Sequence, residues 1–498
     1  MKLFILHTKK LWHVLAVFFI SAFLLSSCAQ PQPVAQIPLI QPTTESSEST
    51  DAGTPLPGRP VYAPGTLVDY TAQSGDTLRG LAAHFNTTVE EILFANPLLP
   101  AELTTLQAGM ELKIPIYYKA LWGSQYQIMP DALFVNGPAQ SDFDTVAFVN
   151  AQPGWLKDYT TLVNDQMRSG GEIIDYMAQT FSISPRLLLA IAEYQAGALS
   201  QPSLNTALRE YPLGYVERYH KGFYLQLVWA ANQLNNGYYG WRNGSLESIT
   251  RSNDTLEVPD PWQNAASVGI QYYFSQVMSF EAYLAATHQD GLVRTYSNLF
   301  GDPWSTNQAH IPGNLRQDDL VLPFASGRTW ALTGGPHAAW GEGEPFAAMD
   351  FAPPTSLGGC SPTSEFVVAV APGLIVRTEN AVAMLDLDMD GDERTGWVIF
   401  YLHLAENDMV NPGTLVNTGD PIGHPSCNGG SATGTHVHIA RKYNGEWMNA
   451  DSAVPFVMEG WLPKNGAQAY QGSLSRFGHV ITASENSSGN SAITAGLK

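Results

Sequence analysis

The spacing of apolar residues changes several times along this 498-residue chain, and each change marks a different predicted element. Between residues 66 and 117, two short apolar runs enclose two stretches of helical spacing. The first helix carries Leu78, Leu81 and Phe85 on one face, and the second ends at Asn96-Pro97. The pattern predicts a compact strand–helix–helix–strand module over residues 66–117.

Residues 118–319 contain longer stretches of helical spacing. Apolar side chains recur every three or four positions from Ile173 to Phe181, from Tyr224 to Leu234 and from Ala265 to Val277. This period places them on one face of each helix, and a globular domain buries such a face. We therefore predict a mostly helical domain over residues 118–319.

From residue 320 onwards the apolar runs become short, and Gly and Pro residues separate them. A series of such runs separated by turn signals is typical of antiparallel β-structure, which we predict over residues 320–476. Residues 477–498 are rich in Ser, Asn and Gly, so a disordered tail is expected there. The strand candidates are Phe366–Ala371, Leu374–Thr378, Trp397–Leu404 and Thr435–Arg441.

The first 27 residues have the features of a secretory signal peptide. Lys2, Lys9 and Lys10 flank an apolar run over residues 11–25, which is too short to predict a membrane span. Residues 28–65 are rich in Pro, Gln, Ser and Thr. Such a segment buries too little apolar surface to fold, so it is predicted to be a disordered tether.

The end of the signal peptide, Leu25-Ser26-Ser27-Cys28, resembles the lipobox of bacterial lipoproteins. The resemblance implies cleavage before Cys28 and a lipid on that cysteine, which would anchor the protein to the membrane. An ordinary signal peptide followed by a chance cysteine is the alternative. Of the chain's three cysteines, Cys360 and Cys427 then remain. Two thiols in an oxidising compartment are expected to form a disulfide.

The charge of the chain argues against one class of binding partner. The formal net charge is −20 and the pI is about 4.9, which argues against nucleic acid, since phosphates attract a basic surface. An acidic chain with an export signal is expected outside the cytoplasm.

The module at residues 66–117 resembles the LysM domain, which binds glycans that contain N-acetylglucosamine. The matching segments are Tyr70 to Leu78, Asn96-Pro97 and Gly109 to Pro115. A small α/β module of another kind is the alternative. The resemblance implies peptidoglycan as a partner.

Three segments of the C-terminal region carry candidate metal ligands. His436 and His438 lie in a predicted strand, whose period of two places both rings on one face. His403 ends another apolar strand, His337 follows a Gly/Pro turn, and Asp350 precedes an apolar pair. Each residue by itself fits a structural role. Together they form a set of neutral imidazoles and one carboxylate, which is common at catalytic zinc.

These segments resemble the zinc peptidase family of lysostaphin and the beta-lytic endopeptidases. The resemblance implies His337, Asp350 and His438 as zinc ligands, with His403 and His436 as catalytic residues. Most members place the first His and the Asp only a few positions apart, whereas thirteen positions separate them here. That wider spacing resembles the beta-lytic branch.

The resemblance also implies a mechanism. Zinc lowers the pKa of a water molecule toward about 7 and polarises the scissile carbonyl. His436 would take the proton of the water or hold the water in line, and His403 would donate to the developing oxyanion. Which of the two histidines is the base stays open.

One predicted helix of the middle region, Ser184 to Gly197, resembles the catalytic helix of lysozyme-like lytic transglycosylases. That family has Glu-Ser-Gly where this chain has Gln195-Ala196-Gly197, and a glutamine cannot act as general acid and base. Glu193 does not take its place, because two helical positions are roughly 200° apart around the axis. We expect an inactive glycan-binding or spacer domain. An unrelated helical domain and glycan cleavage by this domain are the alternatives.

An acidic run in a predicted hairpin is a candidate cation site. Asp386, Asp388, Asp390 and Asp392 alternate, with Gly391 at the sixth position of the run. The spacing resembles the first half of a calcium loop, although Trp397 stands where the usual Glu at position twelve would be. Calcium binding and a solvated acidic turn both fit this pattern.

Taken together, the sequence predicts a multidomain protein. A small LysM α/β module precedes a mostly helical middle domain and a C-terminal antiparallel β metallopeptidase domain. The predicted function is a zinc-dependent endopeptidase that hydrolyses peptide bonds in the stem peptides or cross-bridges of peptidoglycan, anchored by lipid at the membrane and by LysM at the cell wall. A catalytically inactive lipoprotein that activates wall amidases is the second hypothesis. The complete set of five metal-site residues favours the enzyme.

Overall fold

The computed structural model of the chain describes residues 60–119, 122–305, 309–355 and 357–496. The predicted signal peptide, Cys28 and residues 28–59 of the predicted tether lie outside these ranges, and residues 60–65 contain no helix or strand. Among the residues that the structure describes, no helix is both long enough and apolar enough to cross a membrane.

The N-terminal module has the predicted order of strand, two helices and strand. Its elements are β1 (Thr66–Thr71), α1 (Leu78–His84), α2 (Val89–Ala95) and β2 (Glu111–Ile116). The strands pair antiparallel, with Thr66 opposite Ile116. Thr77 and Thr88 cap the two helices with their side chains, which satisfies backbone N–H groups that have no partner within the helix.

The middle region is mostly helical, as predicted. Ser184 caps α5, whose first residue is Pro185, and Gly197 ends this helix in the left-handed conformation. The helices are α3 (Thr145–Asn150), α4 (Gly170–Phe181), α5 (Pro185–Ala196), α6 (Phe223–Asn243), α7 (Ala265–Val277), α8 (Phe280–Ala286) and α9 (Leu292–Phe300). Two short hairpins accompany them, β3 (Thr160–Val163) with β4 (Gln166–Ser169) and β5 (Ile249–Thr250) with β6 (Leu256–Glu257).

The C-terminal region is built on an antiparallel sheet, as predicted. The sheet has nine strands, which are β7 (Thr329–Ala338), β8 (Phe346–Ala352), β10 (Gly373–Glu379), β11 (Val382–Asp386), β12 (Trp397–Leu402), β13 (Leu415–Val416), β15 (Val437–Tyr443), β16 (Glu446–Trp447) and β20 (Ala492–Thr494). Their order in the sheet is β13-β10-β11-β12-β15-β8-β7-β20, with β16 beside β15. Outside it lie β9 (Val367–Val368) with β14 (Pro421–Gly423), and the three-stranded sheet of β17 (Leu462–Asn465), β18 (Gly472–Arg476) and β19 (His479–Thr482).

Both faces of the large sheet are buried, because alternate residues of each central strand enter different cores. On β12, Val398 and Phe400 pack into the core that contains the helices of the middle region. Ile399 and Tyr401 pack into a second core on the opposite face. This arrangement explains why β12 is a continuous apolar run rather than an alternating one.

The predicted disordered tail is wrong for residues 477–496. Ile493 lies opposite Trp330 on β7 and is buried, and Thr494 pairs with Thr329. Residues 479–482 form β19 beside β18. The polar composition conceals these strands, because the edges of β7 and β18 supply backbone partners that no local pattern reveals.

A buried ionic network joins all three regions. Arg242 on α6 lies 2.9 Å from Glu446 on β16 and 3.0 Å from Asp131, and it donates to the carbonyl of Ser74 in the N-terminal module. His310 lies 2.7 Å from Glu446 as well. Burial favours the neutral acid, but Arg242 and His310 outweigh it and lower the pKa of Glu446 to about 2. The three predicted regions therefore pack as parts of one compact unit.

Candidate metal centre

Strand register brings three of the predicted ligands together. His438 on β15 lies opposite Asp350 on β8, and bulges in β7 place His337 beside them. The distance from His337 Nε2 to His438 Nδ1 is 3.0 Å, and Asp350 Oδ1 lies 3.3 Å and 3.2 Å from these two nitrogens. The three residues form a possible metal site.

Hydrogen bonds assign the proton on each ligand ring. His337 donates from Nδ1 to the carbonyl of Gly335 at 2.8 Å, and His438 donates from Nε2 to the carbonyl of Ala339 at 3.0 Å. The other nitrogen of each neutral ring therefore presents a lone pair. Asp350 Oδ1, buried next to both, has no hydrogen-bond partner among the described residues.

This arrangement fits a zinc ion. Two lone pairs and an anionic oxygen at van der Waals distance repel one another unless a cation lies between them. The ligand atoms of tetrahedral zinc lie about 3.3 Å apart, which agrees with the separations of His337, Asp350 and His438. The second hydrogen bond of each imidazole is the outer contact that holds a metal-binding histidine in its tautomer.

Burial and neighbouring charges have opposite effects on the pKa values of these three residues. Burial favours the neutral form of Asp350, but His337 and His438 outweigh it and hold the pKa of this carboxyl well below its usual value. Burial also lowers the pKa of His438, whereas Asp350 outweighs burial at His337 and raises its pKa. The carboxylate is therefore the charged member of the set.

The two predicted catalytic histidines lie beside the ligands. His436 donates from Nδ1 to the carbonyl of Gly434, and its Nε2 lies 3.8 Å from Asp350 Oδ2. His403 donates from Nδ1 to the carbonyl of Asn428, and its ring centre is 4.5 Å from that of His436. Burial, followed by the nearby His436 and His438, lowers the pKa of His403 to about 4. Both rings therefore offer Nε2 as a proton acceptor.

A disulfide supports the approach to His436. Cys360 and Cys427 are bonded, with their Cα atoms 5.6 Å apart. Next to this bond, Thr435 donates from its backbone N–H to the carbonyl of Gly359 and from its hydroxyl to that of Ser361. The disulfide thus holds together the two loops that flank the histidine.

Two features of the site have no signal in the sequence. The ring of Tyr470, from the loop between β17 and β18, stacks on His337 with centroids 4.1 Å apart. Asn232 and Asn236 on α6 accept hydrogen bonds at 2.8 Å from the backbone of Glu342 and Glu344. These two acceptors hold the loop that fills the wide spacing between His337 and Asp350.

The cluster opens into a cleft of about 1280 Å³. His337, Asp350, His403, His436, His438 and Tyr470 lie along it, together with the Gly-rich segment 430–434 and residues 485–489. An open cleft of this volume accommodates an extended peptide segment.

The other predicted site residues lie apart from this cleft. Asp386, Asp388 and Asp390 meet in the turn after β11, whereas Asp392 pairs with Arg394. Cys28 lies outside the described residues.

The helix that resembles a transglycosylase helix has internal hydrogen bonds at its candidate positions. Gln195 accepts from Tyr273 at 2.6 Å and donates to the carbonyl of Leu213 at 3.0 Å. Glu193 accepts from the backbone of Leu199 at 2.7 Å. Both side chains therefore stabilise the fold around α5.

Family models match three separate parts of the chain. Residues 70–115 match the LysM domain, residues 127–313 match the LasA N-terminal domain, and residues 359–450 match peptidase family M23. These ranges lie within the three predicted domains. A LysM domain together with an M23 domain implies binding to peptidoglycan, outside the cytoplasm.

The chain is also similar to individual proteins. Protease LasA of Pseudomonas aeruginosa is 26% identical over 345 residues, which span 65% of this chain and 75% of the relative. The beta-lytic metalloendopeptidases of Achromobacter lyticus and Lysobacter enzymogenes are 28% and 27% identical over 166 residues, which span 32% of this chain and 41% and 86% of those proteins.

Two solved structures are similar to part of the chain. The M23 metalloprotease pseudoalterin from the deep sea is 23% identical, with a TM-score of 0.29, over 34% of this chain and 96% of that one. The catalytic domain of lysostaphin from Staphylococcus simulans is 21% identical, with a TM-score of 0.18, over 25% and 89%.

Proposed function

We propose that this chain, a metalloendopeptidase that carries a LysM domain and an M23 peptidase domain, uses zinc to hydrolyse peptide bonds in the stem peptides or cross-bridges of peptidoglycan. One observation carries the proposal. Four histidines, His337, His403, His436 and His438, each donate one ring proton to a backbone carbonyl and turn the other nitrogen toward the carboxylate of Asp350 or the cleft beside it.

The residues divide into ligands and proton carriers. His337, Asp350 and His438 would hold the zinc. When bound, this ion acts as a Lewis acid that activates water and polarises the scissile carbonyl. His436 accepts the proton of the attacking water at Nε2, because this atom lies next to the ligand set, 3.8 Å from Asp350.

His403 acts on the oxyanion of the substrate, whereas His436 acts on the attacking water. Its Nδ1 proton is committed to the carbonyl of Asn428, so only Nε2 is left for the substrate. The neutral ring carries no proton at this atom, so His403 must first take up a proton from solvent at Nε2. As an imidazolium it then donates a hydrogen bond to the developing oxyanion, a contact worth about a few kcal/mol. Tyr470 covers His337 from the cleft side and keeps the ligand ring in place.

The LysM domain and the N-terminal segment position the enzyme. The LysM domain supports binding to the glycan strands near the peptides that are cut. Cys28 follows a signal-peptide pattern, which supports a lipid anchor on the outer side of the membrane.

Zinc content and the products of wall digestion test the proposal. The purified full chain is expected to contain one zinc ion and to release wall fragments whose masses and new amino termini show cleaved peptide bonds. His436→Ala is expected to keep zinc and lose about 100-fold or more in rate, whereas His438→Ala loses the metal. His424→Ala is the matched control, because this ring packs against Phe366 and does not line the cleft.

Other products would contradict the proposal. A folded chain without metal, or wall fragments released equally by wild type and His436→Ala, excludes this mechanism. Stimulation of an added amidase without any release by the chain itself would support the inactive activator. Anhydro-sugar products that persist in His438→Ala would point to the helical region.

A further inference from the structure

A second carboxylate cluster lies in the turn between β11 and β12, outside the cleft. One oxygen each from Asp386, Asp388 and Asp390 lies within 4.8 Å of the others. Asp386 is fully buried at the end of β11, whereas Asp388 and Asp390 are exposed. The cluster is therefore buried at Asp386 and open to solvent at Asp388 and Asp390.

The buried member of the cluster has an unpaired oxygen. Asp386 Oδ2 accepts a hydrogen bond from the N–H of Gly391 at 2.9 Å, but Oδ1 has no hydrogen-bond partner in the part of the chain that the structure describes. A buried carboxylate oxygen without a donor is unfavourable, and the neighbouring carboxylates add like charge. A cation bound between the carboxylates would offset both costs.

The basic side chains of this region are bound elsewhere. Arg394 lies 2.6 Å from Asp392, and Arg377 and Lys442 pair with Glu393. Among the described residues, none of the ion pairs involves Asp386, Asp388 or Asp390. A side-chain cation therefore does not neutralise the cluster.

The backbone of the turn suits a calcium loop. Gly391 adopts a φ of 90°, which permits the sharp turn at the sixth position and directs its N–H to Asp386. The first, third and fifth positions supply carboxylates. Asp392, at the seventh position, points to Arg394, and calcium loops use a backbone carbonyl at that position.

We propose that Asp386, Asp388 and Asp390 bind one calcium ion in a site separate from the histidine cluster. Backbone carbonyl oxygens and water complete the coordination, and Asp392 is not a ligand. An oxygen-only set on an exposed turn favours calcium over magnesium, which demands a more regular geometry. The ion would fix the turn, from which Arg394 donates to the carbonyl of Gln140 in the helical region.

Titration of the full chain with calcium alone, at constant ionic strength in calcium-free buffer, tests this site. Calorimetry is expected to show one saturable site that magnesium alone fills at least tenfold more weakly. Asp388→Asn and Asp390→Asn are expected to weaken calcium binding by about tenfold or more. Both side chains are exposed, so these variants keep the fold.

Two further variants decide whether this turn is the site. Asp392→Asn is the matched control and is expected to change calcium affinity less than about threefold, and His438→Ala is expected to keep calcium binding. Absence of saturable binding by the wild type overturns the proposal. It is also overturned if Asp392→Asn and Asp388→Asn weaken binding equally, or if His438→Ala loses calcium while Asp388→Asn retains it. The proposed zinc-dependent function is tested independently, because its experiments concern the residues of the histidine cleft.

Discussion

The carboxamide oxygen of Asn236 accepts a hydrogen bond from the backbone N–H of Glu344 at 2.8 Å. This contact joins the helical region to the loop between His337 and Asp350. The carbonyl of Ala339, at the start of the same loop, accepts the hydrogen bond that orients His438. Through this loop, the helical region therefore helps to hold His438 in its orientation.

Removal of these amide contacts is expected to weaken the metal site. The double variant Asn232→Ala, Asn236→Ala should lose about 1 kcal/mol of unfolding free energy per hydrogen bond and bind zinc several-fold more weakly. Competition with a chelator measures the zinc affinity. Asn253→Ala, in an exposed turn bonded to Thr255, is the control. Equal zinc affinity in both variants would show that the loop holds its shape without α6.

Two variants of Tyr470 are expected to distinguish the contribution of its ring to zinc binding from that of its hydroxyl. Tyr470→Ala removes the ring that stacks on His337 and should weaken zinc binding by about two- to tenfold, in line with the worth of an aromatic pair. Tyr470→Phe keeps the ring and should bind zinc like the wild type. If the phenylalanine variant is as weak as the alanine variant, the hydroxyl rather than stacking stabilises the ligand.

Loss of the disulfide is expected to lower stability. Cys360 and Cys427 are separated by 67 positions, and a cross-link of that span contributes roughly 4 kcal/mol by restricting the unfolded chain. The double serine variant should therefore unfold at lower denaturant concentration and lose activity, because the loop before His436 loosens. Wild type in reductant should behave in the same way. An unchanged midpoint in both samples would contradict this expectation.

Acid is expected to destabilise the protein through Glu446. The pKa of this carboxyl is lowered from 4.5 to about 2, so its ion pair with Arg242 contributes fully above pH 4.5. That contribution is lost as the pH falls from 4.5 toward 2, because the unfolded state takes up a proton in this range while the folded state does not. Urea unfolding between pH 6 and pH 2.5 measures the effect.

A glutamine at this position isolates the contribution of the network. Glu446→Gln should lose about 3 kcal/mol or more near neutral pH, since it leaves Arg242 buried without one partner, and its stability should change less with acid. Glu90→Gln, at an exposed position of α2, should follow the wild type. Parallel pH profiles for wild type and Glu446→Gln would contradict the assignment.

The lipid anchor is tested at Cys28. Cys28→Ala is expected to move the protein from the membrane fraction to the soluble fraction without loss of activity on isolated walls, since the change removes only the lipid site. Fractionation and the mass of the mature N terminus measure this. A soluble wild type would indicate an ordinary signal peptide.

Much of the fold is local and was therefore predictable. Thr88 caps α2 in a capping box with Glu91, and Ser184-Pro185 begins α5, because capping depends on residues a few positions apart. The His-x-His pair could be assigned to one strand face from the period of two. The identity of the five site residues followed from their resemblance to a peptidase family.

Contacts between distant segments were decided by the tertiary structure. The pairing of Ile493 with Trp330 turned a polar tail into a strand, and Asn236 on α6 bound the backbone of Glu344 in the loop between His337 and Asp350. Neither outcome has a local signature, since each depends on a partner that folding supplies. The sequence by itself determined which side chains were available for metal chemistry. Only the tertiary structure decided which nitrogen of each ring carries the proton, how far apart the ligand atoms lie and which hydrogen bonds hold them. The physical reason is that burial and hydrogen-bond partners arise only when β7, β8, β15 and α6 come together.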